Sequence, residues 1–296
     1  MRTLSFTVPP ELAGRRVKNL LQTRLYIPAG MIARIKLRGT GICLNGARCR
    51  TTDAVCAGDV LTAEVGDLPA ETGLVPVAVP LAIPYEDEDL LVLDKPAGMA
   101  THGRALRGDV TAANALAAYW GTDRAFHPVT RLDRGTSGLL VVAKSGYAHE
   151  RLRRILHTDD FVRSYLAIAE GVPPEVRGSV ALPLKKDERA KNRFCTAPDG
   201  LPARTDYEVL AVRGGRSLVR CTLRTGRTHQ IRVHLAALGC PLAGDRVYGA
   251  PSDEIGRPAL HSAALHLLQP VTGETVDLTS PLPEDMEELW KNMRSK

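Results

Sequence analysis

A short polar segment, T-R-L-D-R-G-T-S-G at 130–138, carries the densest set of side chains able to do chemistry. It places Asp133 between Arg131 and Arg134, directly before the apolar run Gly138–Ala143. Guanidinium groups on both sides favour the ionised carboxylate, which can act as a nucleophile or a base. The same pattern fits an aspartate that caps its own loop by accepting backbone N–H bonds. The segment alone leaves both interpretations open.

A second polar cluster, T-G-R-T-H-Q-I-R-V-H at 225–234, leads from a loop into the predicted helix Thr228–Leu238. The free N–H groups at the start of a helix form a site for anions. Arg232 lies one turn into this helix, so its side chain can reach back toward the loop. His229 and His234 also fit ordinary core or surface histidines, which is the simpler interpretation of His234.

A basic stripe is predicted on the strand before this cluster. A hairpin is expected to pair Thr205–Val212 with Arg216–Arg224, and alternation in its second strand puts three arginines on one face. These arginines are Arg216, Arg220 and Arg224. No acidic residue occurs between Glu208 and Asp245, so the stripe is predicted to bind phosphates.

The net charge of +6, from 39 basic and 33 acidic residues, is confined to one end of the chain. Residues 1–66 hold ten basic residues against four acidic ones, and the rest of the chain is balanced. A small basic module fused to a neutral body predicts attachment to a polyanion, with nucleic acid first and an anionic membrane surface second. A solvated basic face is the alternative. The candidate phosphate contacts in this module are Arg34, Lys36 and Arg38.

Length and composition exclude several classes of protein. A chain of 296 residues fits about two domains, and 44% hydrophobic with 24% charged residues is typical of folded globular proteins. No apolar run approaches the roughly 18 residues of a membrane span, and the N-terminus has no apolar secretion signal. The six cysteines form no C-x-x-C pair, which predicts reduced thiols in the cytoplasm and no metal site.

The predicted elements divide the chain into a module, a linker and a body. Helices Val17–Arg24 and Ala29–Leu37 and strands Gly41–Leu44 and Val60–Val65 are expected in the module, before a proline-punctuated linker at Asp67–Ile83. In the body, strands are expected at Asp89–Asp94, Gly138–Ala143 and Ser164–Ala169, and a helix at Tyr147–Leu156. Since strands and helices do not alternate regularly, a mixed α+β fold is favoured over a doubly wound sheet.

Several motifs form an ordered set along the body. R-L-D-R-G-T-S-G-L-L-V-V-A-K at 131–144 resembles the catalytic motif of the RluA-type pseudouridine synthases. Further motifs of that family are matched by D-K-P-A-G at 94–98, R-S-Y-L-A at 163–167, T-G-R-T-H-Q-I-R-V-H at 225–234, G-D-R-V-Y-G at 244–249 and L-H-S-A at 260–263. The resemblance covers roughly Leu81 to Trp290, and residues 14–66 resemble the small alpha-L RNA-binding domain that often precedes it.

The resemblance implies an alpha-L domain over 1–66, a linker over 67–83, and an α+β catalytic domain with a mixed, largely antiparallel sheet over 84–296. It implies an enzyme that detaches uracil from its ribose, turns it and rejoins it through carbon 5, with RNA as partner and no cofactor. No membrane contact and no obligate protein partner are expected, and the location is expected to be cytoplasmic. Large-subunit ribosomal RNA is the favoured substrate, with transfer RNA as the alternative.

The same resemblance implies a role for each site residue. Asp133 is the nucleophile or base, acting at the sugar or the uracil, and Arg232 is its charge partner. Tyr165 stacks on the uracil and helps remove the carbon 5 proton, while Arg131 fills the vacated space or holds the displaced strand. The expected RNA contacts are Arg131, Lys95, Arg227, His229, Arg216, Arg220 and Arg224, with Arg34, Lys36 and Arg38 in the module.

Two positions depart from the family pattern. Thr130 stands where a histidine is common, with His127 nearby, and Arg163 stands where lysine is usual. Both are expected to leave activity intact. A catalytically silent RNA-binding or ribosome-assembly protein of the same fold would have a degraded site, whereas the three expected catalytic residues are all present. A hydrolase using Asp133 would need a second carboxylate or a cluster of metal ligands, and the neighbourhood offers arginines.

Overall fold

The computed structural model describes residues 1–69, 71–103, 109–190 and 192–292. The helices are α1 (Val17–Thr23), α2 (Ala29–Ile35), α3 (Ala112–Trp120), α4 (Gly146–Ile155), α5 (Gln230–Ala237) and α6 (Glu284–Lys291). The strands are β1 (Arg2–Thr7), β2 (Ile42–Leu44), β3 (Ala47–Arg48), β4 (Val60–Val65), β5 (Ala82–Glu86), β6 (Leu90–Lys95), β7 (His127–Pro128), β8 (Ser137–Ala143), β9 (Phe161–Glu170), β10 (Arg177–Val180), β11 (Leu184–Lys186), β12 (Phe194–Thr196), β13 (Thr205–Arg213), β14 (Arg216–Leu223), β15 (Leu260–Leu268) and β16 (Thr275–Thr279).

The N-terminal residues form a four-stranded antiparallel sheet in the order β1-β4-β2-β3, packed with α1 and α2. Strand β4 alternates, so that Leu61, Ala63 and Val65 are buried while the residues between them are more exposed. Both helices start where the sequence predicts, but α1 ends one residue early and α2 two residues early. Strand β1 is not predicted, because it exists only through pairing with β4 at the other end of the module.

The segment predicted as a linker lies against the body. Between residues 67 and 81, residue 70 aside, it contains no helix or strand, but β5 begins at Ala82, inside the predicted linker. The Val77 N–H donates to the Asn114 carbonyl at 3.1 Å, and the Asn114 side chain donates to the Val75 carbonyl at 2.8 Å. The prolines therefore prevent helix and strand formation in this segment, but the segment is still hydrogen-bonded to the body.

A ten-stranded sheet forms the body in the order β10-β13-β14-β9-β15-β8-β6-β5, with β16 beside β15 and β7 beside β8. Its pairings among the described residues are antiparallel except that of β15 with β8, where His261 lies opposite Ser137. The expected α+β fold with a mixed, largely antiparallel sheet is thereby confirmed. In the ranges that the structure describes, no helix is both long and apolar enough to cross a membrane.

Strands β6 and β8 lie deep in the body and are covered on both faces. Leu91 and Leu93 of β6 pack with α3 and α5, whereas Leu90 and Val92 pack with α4 on the opposite face. Every residue of β8 is buried. This double coverage explains why both strands are continuous apolar runs rather than alternating ones. It also fixes the loop that enters β8 and carries Asp133.

Strand β15 occupies the middle of the sheet although the sequence does not predict it. Its residues, L-H-S-A-A-L-H-L-L, lack a regular alternation, and its register shifts between Ser262 and Ala264 opposite β9. Its strand conformation depends on neighbours that are distant in sequence. Helix α3 is also unpredicted, and it begins with a capping box in which Thr111 and Asn114 bond each other's backbone N–H groups.

Candidate active site

The loop 130–136 is anchored on both sides of Asp133. Thr101 Oγ1 donates to the Leu132 carbonyl at 2.8 Å and accepts the Leu132 N–H at 3.0 Å, while the Leu132 side chain is buried. On the other side, the Thr136 N–H donates to the Asp133 carbonyl at 3.0 Å. The main chain is therefore held in place, and the Asp133 side chain remains 28% exposed.

The structure shows what contacts are made at Thr130 and Arg163, the two positions that depart from the family pattern. Thr130 Oγ1 accepts the Val141 N–H at 3.0 Å, so the threonine ties the loop to β8. His127 contacts Asp67 at 2.5 Å and does not take the place of the usual histidine. Arg163 is buried beside the site, with 5% of its surface exposed, so its positive charge is kept there.

The Asp133 carboxylate is held by a buried arginine on α5. Arg232 Nη1 donates to Asp133 Oδ2 at 3.3 Å. Its other donors go to Asp245, from Nε to Oδ2 at 2.7 Å and from Nη2 to Oδ1 at 2.8 Å. Burial opposes the charge on Arg232, but its bonds to Asp245 raise its pKa above the usual range. Within the described ranges the Asp133 carboxylate accepts no backbone N–H, so it does not cap its own loop.

His229, expected to contact RNA, lies beside Asp133 in the site. Its Nε2 is 3.7 Å from Asp133 Oδ2, and its Nδ1 is 2.8 Å from the Tyr248 hydroxyl. Only 15% of its side chain is exposed. Burial lowers the pKa of the ring, although the neighbouring Asp133 opposes that shift. The position of His229 in the site depends on tertiary packing, which cannot be read from the sequence.

Tyr165 forms a wall of the site from β9. It lies opposite Cys221 of β14 and Ser262 of β15 in the two antiparallel pairings, and it is 5% exposed. Burial raises the pKa of its hydroxyl, which therefore stays protonated at neutral pH. The side chain presents a neutral aromatic surface next to a carboxylate.

A cleft of about 330 Å³ opens beside Asp133 and Tyr165. Arg131, Arg163 and Arg227 line it, and the side chains of Arg131 and Arg227 are exposed at its rim. This volume lies within the usual range for sites that enclose a small molecule or group. The arginines of this cleft would attract an anionic ligand. The single carboxylate inside it would face an uncharged group that this ligand inserts.

Lys95, expected to contact phosphate, is fully buried. Its Nζ donates to the carbonyls of Pro96 at 2.9 Å and Met99 at 2.7 Å, so the D-K-P-A-G turn folds over its own lysine. Burial lowers the pKa of Lys95 to about 7, although Asp133 opposes the shift. The prediction is wrong because a side chain with no exposed surface cannot reach RNA.

The predicted basic stripe lies on the wrong face of the sheet to serve this site. Residues paired across antiparallel strands point to the same side, and β14 pairs Cys221 with Tyr165 but Arg220 with Leu166. Carboxylates from other elements also neutralise the stripe: Glu170 and Glu254 pair with Arg216, Glu208 with Arg220, and Asp159 and Asp206 with Arg224. The sequence shows no acidic neighbour because these partners come from elsewhere in the chain.

The three module residues expected to contact RNA are outside the cleft. Arg34 and Lys36 are exposed on and just after α2. Arg38 donates to the carbonyls of Glu64 at 3.5 Å and Gly66 at 3.3 Å, so it supports the end of β4. Two of the three therefore offer a free basic surface, whereas the third is occupied within the module.

Sequence reasoning assigned no role to Asp245 or Tyr248, although both lie in the quoted motif G-D-R-V-Y-G. Their partners, Arg232 and His229, belong to a different motif. Motif membership could have marked both positions. Which residues they bond depends on how the two motifs pack together in the folded chain.

Comparisons with known proteins agree with the fold. A profile of the RNA pseudouridylate synthase family matches residues 89–237. The chain is 37% identical over 260 residues to the uncharacterized RNA pseudouridine synthase YlyB of Bacillus subtilis, covering 86% of each chain. It is 35% identical over 307 residues to ribosomal large subunit pseudouridine synthase D of Nitrosomonas europaea, covering 99% of this chain and 88% of that one.

A solved structure is similar as well. Human RNA pseudouridylate synthase domain containing 1 superposes with a TM-score of 0.56 at 30% identity, covering 68% of this chain and 83% of that one. The family profile spans half of the chain, and the bacterial relatives extend the match on both sides of it. The chain therefore belongs to the RNA pseudouridylate synthase family.

Proposed function

We propose that this RNA pseudouridine synthase modifies uridines in large-subunit ribosomal RNA and uses Asp133 as its catalytic carboxylate. Proteins named ribosomal large subunit pseudouridine synthase D, from Nitrosomonas europaea and Xanthomonas campestris, align with 99% and 97% of the chain and support this substrate. The observation that carries the catalytic assignment is the Asp133 carboxylate itself, which is held by Arg232 at 3.3 Å and borders the cleft.

The reaction requires a flipped uridine, because the bonds that change are inaccessible in a stacked helix. The bond from ribose carbon 1′ to uracil nitrogen 1 breaks, and a new bond forms from carbon 1′ to uracil carbon 5. Carbon 5 then loses its proton, and nitrogen 1 carries one in the product, so the RNA gains and loses nothing overall. The cleft offers a volume of about 330 Å³ in which a detached uracil can turn.

Asp133 serves either as a nucleophile, on the sugar or on the uracil, or as the base that removes a proton. In either role the carboxylate must be charged and fixed, and Arg232 meets both requirements because Asp245 holds its guanidinium plane. Tyr165 supplies the stacking surface for the uracil. Since burial keeps its hydroxyl protonated, stacking fits this residue better than proton removal without help from another acceptor.

The RNA backbone is proposed to lie over the rim of the cleft. Arg131 and Arg227 are exposed there and would contact phosphates beside the target uridine, with Arg131 also able to fill the space that the base leaves. Arg34 and Lys36 would bind RNA further away. Lys95, Arg38 and the three stripe arginines are left out because each is already bonded to groups within the protein.

Replacing Asp133 tests the catalytic assignment. Asp133→Asn keeps the size of the side chain and removes its charge, so the folded variant should bind RNA normally and form no detectable pseudouridine. Asp199→Asn makes the same chemical change at an exposed residue paired with Lys185, and should retain wild-type activity. Turnover by purified Asp133→Asn, free of wild-type enzyme, would contradict the assignment.

The substrate is tested by mapping pseudouridines in RNA from a deletion strain. Large-subunit ribosomal RNA should lose one or more sites, and the wild-type gene but not the Asp133→Asn gene should restore them. Loss of pseudouridine from transfer RNA alone would replace ribosomal RNA with transfer RNA as the substrate and leave the catalytic assignment standing.

A further inference from the structure

His229 has a backbone conformation that is uncommon for a residue other than glycine. At the start of α5 its φ is +58° and its ψ is 17°, in the left-handed region that few residues other than glycine adopt. The rings of Phe194 and Tyr248 approach its imidazole edge-on, each with centroids 5.6 Å away. A strained residue held this firmly beside a reacting group is a candidate for function.

Hydrogen bonding to Tyr248 favours one tautomer of the His229 ring. The Tyr248 hydroxyl oxygen accepts the Phe194 N–H at 2.9 Å and lies 2.8 Å from His229 Nδ1. The hydroxyl has one hydrogen to donate, and Nδ1 is an acceptor within reach of it in the part of the chain that the structure describes. This arrangement favours a bare Nδ1, with the hydrogen of the neutral imidazole on Nε2.

The hydrogen on Nε2 faces the Asp133 carboxylate. Nε2 lies 3.7 Å from Oδ2, slightly beyond hydrogen-bonding distance, and Arg232 Nη1 contacts the same oxygen at 3.3 Å. Two N–H groups thus converge on Oδ2. The other oxygen, Oδ1, has no hydrogen-bond partner among the described residues, so the carboxylate has one held oxygen and one free oxygen.

We propose that His229 is a positioning residue that acts with Arg232 on Asp133 Oδ2 and so presents Oδ1 to the substrate. Tyr248 keeps the imidazole in the tautomer that this task requires. This role of His229 rests on the proposed catalytic role of Asp133, in which Oδ1 would be the reacting oxygen. Burial lowers the pKa of His229, which keeps the ring neutral and Nδ1 free to accept from Tyr248. Positioning requires the distance from Nε2 to Oδ2 to shorten when substrate binds, as contacts in free active sites commonly do.

The tautomer can be measured without any assay of activity. In the nitrogen-15 NMR spectrum of the labelled wild-type protein, Nδ1 of His229 should have the shift of a bare nitrogen and Nε2 that of a protonated one. Tyr248→Phe removes the donor to Nδ1, so this preference should weaken. Tyr85→Phe removes a hydroxyl that donates to Asp87 and should leave the His229 signals unchanged. A wild-type spectrum with the hydrogen on Nδ1 would overturn the proposal.

Two conservative variants separate positioning from packing. His229→Gln can place an amide N–H near the position of Nε2, whereas the shorter His229→Asn cannot, although asparagine tolerates the left-handed backbone better. We expect the single-turnover rate at saturating RNA to fall about a hundredfold in His229→Asn, with RNA affinity nearly unchanged, and to be largely retained in His229→Gln.

The outcomes distinguish this inference from the proposed function. Equal loss of rate in His229→Gln and His229→Asn, or no loss in either, would overturn the positioning role even if Asp133→Asn is inactive. Turnover by Asp133→Asn would overturn the proposed function itself. If both His229 variants fail to fold, the tautomer measured in the wild-type protein still decides the inference.

Discussion

At the scale of single residues, the site depends on one arginine shared by two carboxylates. Asp245 is fully buried, Arg232 is 7% exposed and Asp133 is 28% exposed, so the three charges form a line from the interior to the cleft. One guanidinium between two carboxylates leaves one net negative charge. Because Nε and Nη2 bond Asp245 from one side of a rigid plane, Nη1 is left on the side that faces Asp133.

The two functions of Arg232, stability and catalysis, can be separated by a pair of variants. Arg232→Met alone leaves Asp245 as a buried charge that keeps the N–H groups of Val247 and Tyr248 but has lost its ion-pair partner, which costs about 3–5 kcal/mol of unfolding free energy. Adding Asp245→Asn removes that charge and should recover much of the loss, as urea denaturation would detect. Single-turnover rates should remain at least about a hundredfold below wild type in both variants. Recovery of rate together with stability would mean that Arg232 does not act on Asp133.

Lys95 should make stability depend on alkaline pH. Its pKa falls from 10.5 to about 7 on folding, so between these values the unfolded chain binds the proton and the folded protein does not. The free energy of unfolding therefore rises as pH increases from about 7 to about 10, by at most about 5 kcal/mol from this group. Lys95→Met should lack this rise in denaturation curves, whereas Lys185→Met, at an exposed position, should retain it. Parallel pH profiles for wild type and Lys95→Met would contradict the prediction.

At the scale of elements, the sequence predicts features that depend on neighbouring residues in the chain. It misses features that depend on contacts between elements distant in sequence. The sequence offers Asp133, Tyr165 and Arg232 because each lies in a contiguous motif that resembles one of the family, and the structure places these motifs before β8, on β9 and on α5. β15 is missed because its conformation comes from β9 and β8, not from its own alternation. The basic stripe of β14 is misread for the same reason, since its carboxylate partners lie on other elements.

The close packing of β8 against β15 requires a glycine at position 138. Gly138 has a φ of +104°, and a Cβ there would lie 2.3 Å from the backbone oxygen of Ser262. Gly138→Ala should therefore reduce the free energy of unfolding by at least about 3 kcal/mol, because backbone on β15 cannot move aside. Gly215→Ala, with a φ of +81° and nothing within 4 Å, should cost only about 1 kcal/mol for its conformation. Equal losses in chemical denaturation would show that the close approach is tolerated.

At the scale of the whole molecule, the basic module is joined to the body by specific side chains. Tyr147 of α4 is buried in the hydrophobic core of the module, and its hydroxyl donates to the Leu25 carbonyl at 2.9 Å. Arg2 donates to Asp89 of the body at 2.5 Å. We propose that residues 1–66 form an RNA-binding module, and deleting them would expose this apolar surface around Tyr147. Charge variants therefore test the module better than truncation.

Neutralising the exposed charges of the module should weaken RNA binding in a salt-dependent way. In the double variant Arg34→Gln, Lys36→Gln, affinity should fall at low salt, and the dependence of log affinity on log salt should become shallower by about 0.7–0.9 for each phosphate that the protein no longer neutralises. Rates at saturating RNA should not change. The double variant Arg220→Gln, Arg224→Gln removes the same charge from residues paired with carboxylates and should keep the wild-type slope. An unchanged slope in the module variant would mean that its charge only solvates a surface.

The position of β15 determines when the enzyme can first work. It follows β14 by more than thirty residues in sequence, yet it lies between β9 and β8 in the sheet. A nascent chain that has emerged only as far as β14 therefore holds two open strand edges where β15 will insert, and such edges invite pairing with other chains. Closing this gap is a long-range step with a large entropy of loop closure, which makes it slow in folding. We expect the Asp133 loop and Tyr165 to become fixed relative to each other only after Leu260–Leu268 leaves the ribosome, so partly synthesised chains should be inactive and prone to aggregate.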